Sequence, residues 1–252
     1  MVSVHPRSCG HVSVSPRVNK ACDPSANSRK PPTSKHAAVA TLLCLLGFAG
    51  FWAGAMALYP GGTWSDRTRV GESFFGNFFC DLTQPISLSG VANPVGSRLA
   101  QCGMLLFAGA LFGLFWVVPR HFASSSRAEP WVRGLGAASV LAFVAVPLAP
   151  SQRYGHLHAV LALVSGGLGI PAALAAVTAL LASGRRARAL GALGALALGC
   201  AAFDALIFIQ HFGDSAPPLL VPAAQKIAAL LVSAWIAAVA LLVVCDKGSV
   251  RA

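Results

Sequence analysis

The sequence predicts an all-α fold: a polytopic integral membrane bundle of six transmembrane helices with both termini cytoplasmic. Three observations predict it. Only 11% of the 252 residues are charged, against about a quarter in soluble domains, and 56% are hydrophobic. Mean hydropathy is +0.67. The apolar residues also gather into six continuous stretches, each long enough to cross a ~30 Å hydrocarbon core as a helix. This content excludes a soluble enzyme and a disordered chain. Continuous runs without inside–outside alternation exclude barrel strands.

Residues 1–36 are rich in Ser, Pro, Lys and Arg, lack any apolar period and read as a disordered basic cytoplasmic tail. The six-helix domain follows at 37–245, and 246–252 form a second cytoplasmic tail. The expected spans are 37–59, 98–118, 134–150, 158–183, 189–211 and 224–245. The first is read as an uncleaved anchor, its apolar run being too long for a signal-peptide core; cleavage near Ala53-Gly54-Ala55 would leave five spans. The third is the shortest, and Pro147 and Pro150 are expected to stop it. Small residues recur at contact spacing: Gly50 and Gly54, Gly109 and Gly113, Gly166, Gly167 and Gly169, then Gly191, Gly194 and Gly199. They are expected to let helices pack closely within the bundle. Trp52, Trp64, Trp116, Trp131 and Trp235 are expected at the interfaces.

Sorting the basic residues orients the chain. Fourteen of the 19 fall in the two tails and in the second and fourth connections, including Arg120, Arg127, Arg133, Arg185, Arg186 and Arg188. The opposite side holds Arg67, Arg69, Arg98, Arg153 and Lys226. The positive-inside rule then places both termini in the cytoplasm of a cell (inner) membrane protein. The formal charge of +11 is thereby read as topology, not as a nucleic-acid surface.

The external loop, 60–97, is the most distinctive text. Tyr59-Pro60-Gly61-Gly62-Thr63 makes a turn, and Asn93-Pro94 makes another, with Ser97 as the expected cap of the second span. Between them, a helical reading puts Asn77 and Asp81 on one face among Phe74, Phe75, Phe78 and Phe79. Such a segment either plugs the outer end of the bundle or aims Asn77 and Asp81 into a cavity. The cavity is preferred, since a surface helix has no need of so many aromatics beside an acid. Cys80 and Cys102 are the one cysteine pair placed for a disulfide. The Tyr-Pro-Gly-Gly exit, Asn77-x-x-x-Asp81 and the six spans resemble the bacterial membrane family known as domain of unknown function 998. That family is similar in layout to the Frag/DRAM/Sfk-type membrane proteins. The resemblance implies a fold and carries no established reaction.

Asp204 is the one formal charge well inside a span, about 10 Å from its outer end. A carboxylate there costs at least ~2.5 kcal/mol on insertion scales and needs a partner or water. His156, His158, His211, Gln210, Gln225, Lys226 and Asp81 map to the same leaflet. Asn77, Asp81, Asp204, His211 and Lys226 are the candidate ligand-binding set. Three chemistries stay open. A buried hydrogen-bond network would join Asp204 to a histidine or to Lys226. A metal-dependent membrane hydrolase would use Asp81, His156, His158, Asp204 and His211 as catalytic candidates, with His156, His158, His211 and Asp204 as zinc ligands. A proton-coupled transporter would use Asp204 as carrier. No phosphate-binding loop, nucleophile elbow or nucleic-acid motif occurs, so no cofactor other than zinc and no nucleic acid is expected. The expected partners are membrane lipids, and the expected function is non-enzymatic handling or sensing of a lipid or small amphiphile at the outer leaflet.

Overall fold

The computed structural model describes residues 33–122, 128–211 and 218–245. Most of the N-terminal tail, the C-terminal tail and Arg127 therefore lie outside the described residues. All described elements belong to one unit, Pro31–Ala252. Eight helices occur among them: α1 (Thr33–Leu58), α2 (Phe79–Leu82), α3 (Pro94–Phe122), α4 (Ala128–Leu148), α5 (Ser151–Tyr154), α6 (His156–Leu181), α7 (Arg185–Gln210) and α8 (Leu220–Cys245). Six of these, all but α2 and α5, are long and apolar enough to cross a membrane. No strand occurs among the described residues; two isolated β-bridges do.

The six long helices close on themselves. Each packs on the next in sequence, α8 returns to α1, and α3 also touches α6 and α8. α3 therefore lies innermost and α7 outermost: 56% of the apolar window of α3 is buried, against 11% for α7. The main core joins Phe107, Leu114, Phe115, Leu180, Trp235 and Ile236. A smaller one, at the end of the bundle that carries the long loop, joins Trp52, Tyr59, Leu82, Met104 and Val146.

Several expectations are corrected here. α4 starts at Ala128, six residues before the expected 134, because Glu129 and Arg133 pair at i,i+4 (2.6 Å) and hold a charged first turn that hydropathy passes over. Pro147 does not stop this helix; it occupies its last turn, where a missing N–H removes a single bond. Pro119 and Pro171 likewise lie inside α3 and α6. α3 starts with Pro94 at its first position, so Asn93, not Ser97, precedes it. Trp52 and Trp235 are core residues rather than interfacial anchors. The indole of Trp235 lies against Gly194, where no larger residue leaves room. The predicted glycine contacts divide. Gly109, Gly113, Gly169, Gly191 and Gly194 meet a neighbouring side chain closely, while Gly50, Gly166, Gly167 and Gly199 face open space.

Candidate functional site

The long loop, Tyr59 to Asn93, folds into a cap over one end of the bundle. Its first turn needs glycine twice. Gly61 (φ 136°) and Gly62 (φ 84°) hold backbone conformations that side-chain-bearing residues rarely adopt, and a Cβ on either would strike the backbone of Arg69 or Ser89. Gly62 N–H donates to Arg69 O (2.8 Å), and Gly61 O accepts from Ser89 N–H (3.1 Å). The Tyr-Pro-Gly-Gly signature is thus the crossing point of two loop segments.

Asn77 and Asp81 hold this cap together. Asn77 is fully buried; its Oδ1 accepts from Ser73 N–H (2.9 Å) and its Nδ2 donates to Gly62 O (2.8 Å). Asp81, 4% exposed, accepts at Oδ2 from Phe78 N–H (2.7 Å) and Trp64 Nε1–H (3.2 Å). Burial pushes the Asp81 carboxyl up to about 6, against the downward pull of those donors. The continuous helix expected through both residues is not formed. Only Phe79–Leu82 is helical and Asn77 precedes it in a turn, because its amide bonds the loop backbone instead.

The cap is fastened to the bundle on two sides. From α8, Lys226 (1% exposed) donates to Glu72 Oε1 (2.6 Å), Ser73 O (3.0 Å) and Phe74 O (2.8 Å), and lies 5.1 Å from the centre of the Phe74 ring. Beside it, Gln225 Oε1 accepts from Phe79 N–H (2.8 Å). On the other side Gln84 donates to Ser151 Oγ (2.8 Å), and Gln152 Nε2 donates to Ile86 O (2.6 Å). Asn93 Nδ2 bonds Leu82 O and Gln84 O, both at 3.2 Å, and Tyr59 OH accepts from Leu88 N–H (3.1 Å). Beneath, the Phe79 ring meets Trp52 edge-on at 4.4 Å. Glu72, Trp64, Gln84 and Tyr59 were missed in the sequence as site residues. A buried lysine near the start of an apolar helix needs an acid, and the loop's own Asp66, Glu72 or Asp81 was the signal that could have found the pair.

Asp204 is not part of this network. Lys226 pairs with Glu72, and among the described residues Asp204 makes no hydrogen bond or ion pair. It sits half-buried in α7, beneath the cap, near Cys80. Burial, then the charges of Asp81 and Asp204, push the Cys80 thiol up to about 12 and keep it protonated. Cys80 and Cys102, the one pair placed for a disulfide, are both free. All buried residues of α7 (Ala187, Gly191, Gly194 and Ala197) belong to its first half. Its second half, with Asp204, carries exposed Phe203, Leu206 and Ile209. Phe208 touches Phe78 of the cap at 6.2 Å, ring to ring.

The histidines do not converge on Asp204. His156 is exposed at the start of α6, while His158 is buried with Nδ1 at 2.8 Å from Ala149 O, tying α6 back to α4. Positions two apart on a helix point to different faces. His211 ends α7, half-buried, its N–H on Ile207 O (3.1 Å). Among the described residues no three His, Cys, Asp or Glu side chains gather closely enough to hold a metal ion, so the zinc ligand set His156, His158, His211 and Asp204 is not assembled.

No family model, curated protein or solved structure matches the chain.

Proposed function

We propose that the chain is a multi-pass protein of the cell membrane, cap outside and termini in the cytoplasm, which handles or senses a lipid or small amphiphile in the outer leaflet. The supporting observation is Asp204. An acid without hydrogen bond or ion pair among the described residues sits half-buried where α7 leaves its neighbours. An uncompensated carboxylate at that depth is costly, so its natural complement is a ligand head group that donates hydrogen bonds or carries positive charge. The exposed apolar faces beside it suit the ligand's tail. The hydrolase reading has weaker support, since its ligands stand apart. The resemblance to the domain of unknown function 998 family is proposed on the same cap residues, as kinship of layout.

Equilibrium binding of a fluorescent long-chain amine to the detergent-purified protein tests this, with a fatty acid of equal length as control. Saturable binding of the amine, lost in Asp204→Asn at unchanged melting temperature, is expected. If Asp204→Asn lowers the melting temperature and binding is absent in both proteins, Asp204 is structural and the proposal fails. A pH-driven flux abolished by Asp204→Asn would make the protein a transporter.

A further inference from the structure

At the end of the bundle opposite the cap, α3 and α4 enclose a crevice of about 240 Å³, lined by Phe112, Phe115, Trp116, Arg133, Gly134 and Ala137. Its walls are apolar, but two guanidinium groups stand over Trp116: Arg120 at 4.2 Å and Arg133 at 4.9 Å from the ring centre. Phe112 stacks on the other part of that wall, 5.8 Å from Trp116 and 22° from parallel. Exposed Phe112 and Gly134 put the mouth of the crevice on the apolar outer surface of the bundle.

The cations outnumber their partners. Glu129 takes Nη2 of Arg133 at 2.6 Å, whereas the buried Nε–H of Arg133 has no acceptor among the described residues. Arg120 is exposed, with no acidic partner among the described residues. A buried guanidinium donor without an acceptor is disfavoured, and guanidinium pairs with phosphate through parallel hydrogen bonds. An aromatic face beneath two arginines holds them near the boundary between hydrocarbon and head groups.

We infer that this crevice binds a phospholipid with an anionic head group. The phosphate lies between Arg120 and Arg133, and part of one acyl chain fills the crevice against Phe112, Phe115 and Ala137. A soluble phosphate would leave the apolar crevice empty, and a zwitterionic lipid would offset the arginines less. The inference rests on the six helices crossing a bilayer and is independent of the reading at Asp204.

The test compares melting temperature and lipid retention in native mass spectrometry for the detergent-purified protein with added phosphatidylglycerol, phosphatidylcholine or inorganic phosphate. Phosphatidylglycerol is expected to raise the melting temperature and remain bound, and the other two to do neither. Arg120→Gln/Arg133→Gln is expected to weaken phosphatidylglycerol binding by roughly thirtyfold, the order set by losing two basic residues at a membrane surface. Gly134→Leu is the second variant: Gly134 lines the crevice, and a Cβ there meets no atom within 4 Å. It should keep the lipid-free melting temperature and lose the response to phosphatidylglycerol. Asp204→Asn should retain that response. Equal effects of the two lipids, an equal effect of inorganic phosphate, or a full response in Gly134→Leu would each overturn the inference.

Discussion

A lysine in the second turn of a 26-residue apolar helix is tolerated only when its ammonium group is satisfied, and Lys226 has three oxygen acceptors and an aromatic ring around it. The Glu72 side chain is 11% exposed and that of Lys226 2%, so water screens the pair little. Lys226→Met should therefore cost roughly 3–5 kcal/mol, most of it from leaving Glu72 buried without a partner. Glu72→Leu in the same chain should restore a large part, and thermal unfolding of the two single variants and the double variant measures the coupling. Asp81 gives a second expectation, in pH. Its carboxyl is raised to about 6 from 3.8, so the folded state holds a proton that the unfolded chain has already released. Stability from this group is full below pH ~4 and declines as pH rises through about 6. In melting curves between pH 4 and 7, Asp81→Asn should show less of that decline than the parent protein. An identical pH dependence in both would rule out burial of the Asp81 carboxyl.

Between elements, glycine positions separate contact from coincidence. Gly113 of α3 lies under Thr41 of α1, whose hydroxyl is held by Ala37 O (2.8 Å), so a methyl group there has nowhere to go. Gly113→Ala should cost about 1–3 kcal/mol by forcing α1 and α3 apart. Gly50→Ala on the same helix pair, with open space at its Cβ, should leave the melting temperature unchanged or raise it through helix propensity. The spacing of Gly50 and Gly54 resembles that of Gly109 and Gly113, which is why the sequence reads them alike. What distinguishes Gly50 from Gly113 is the neighbour each meets, and α1 has almost no apolar asymmetry to reveal it. α4 illustrates a different limit. Its Glu129–Arg133 turn and exposed Trp131 are polar or interfacial, so hydropathy locates the helix yet starts it late.

For the molecule as a whole, the six long helices were legible because scarcity of charge is a property of composition, readable without knowing any contact. The cap was not. Its order comes from side chains that bond backbone atoms far away in sequence, such as Lys226 with Ser73 and Phe74, and no local period records such pairs. Asp204 was found because it is alone in its span, while its assumed partners were wrong because a leaflet is wide and sharing one does not imply contact. The same composition argument makes a prediction for the assembled protein. Arg67, Arg69, Arg98 and Arg153 belong to the cap end, and Lys226 there is already neutralised by Glu72. The opposite end holds Lys35, Arg120, Arg133, Arg185, Arg186 and Arg188 among the described residues, and the sequence assigns 14 of the 19 basic residues to that side. With that imbalance the cap should face outward. In a background with its native cysteines replaced, a membrane-impermeant maleimide applied to intact cells should label Arg67→Cys in the exposed cap and leave Arg186→Cys unlabelled until the cells are opened. Both positions are exposed, so burial cannot produce the difference. The reverse pattern would invert the topology and place Asp204 in the inner leaflet. Labelling of both would contradict the odd number of spans, α3, α4 and α6, between them.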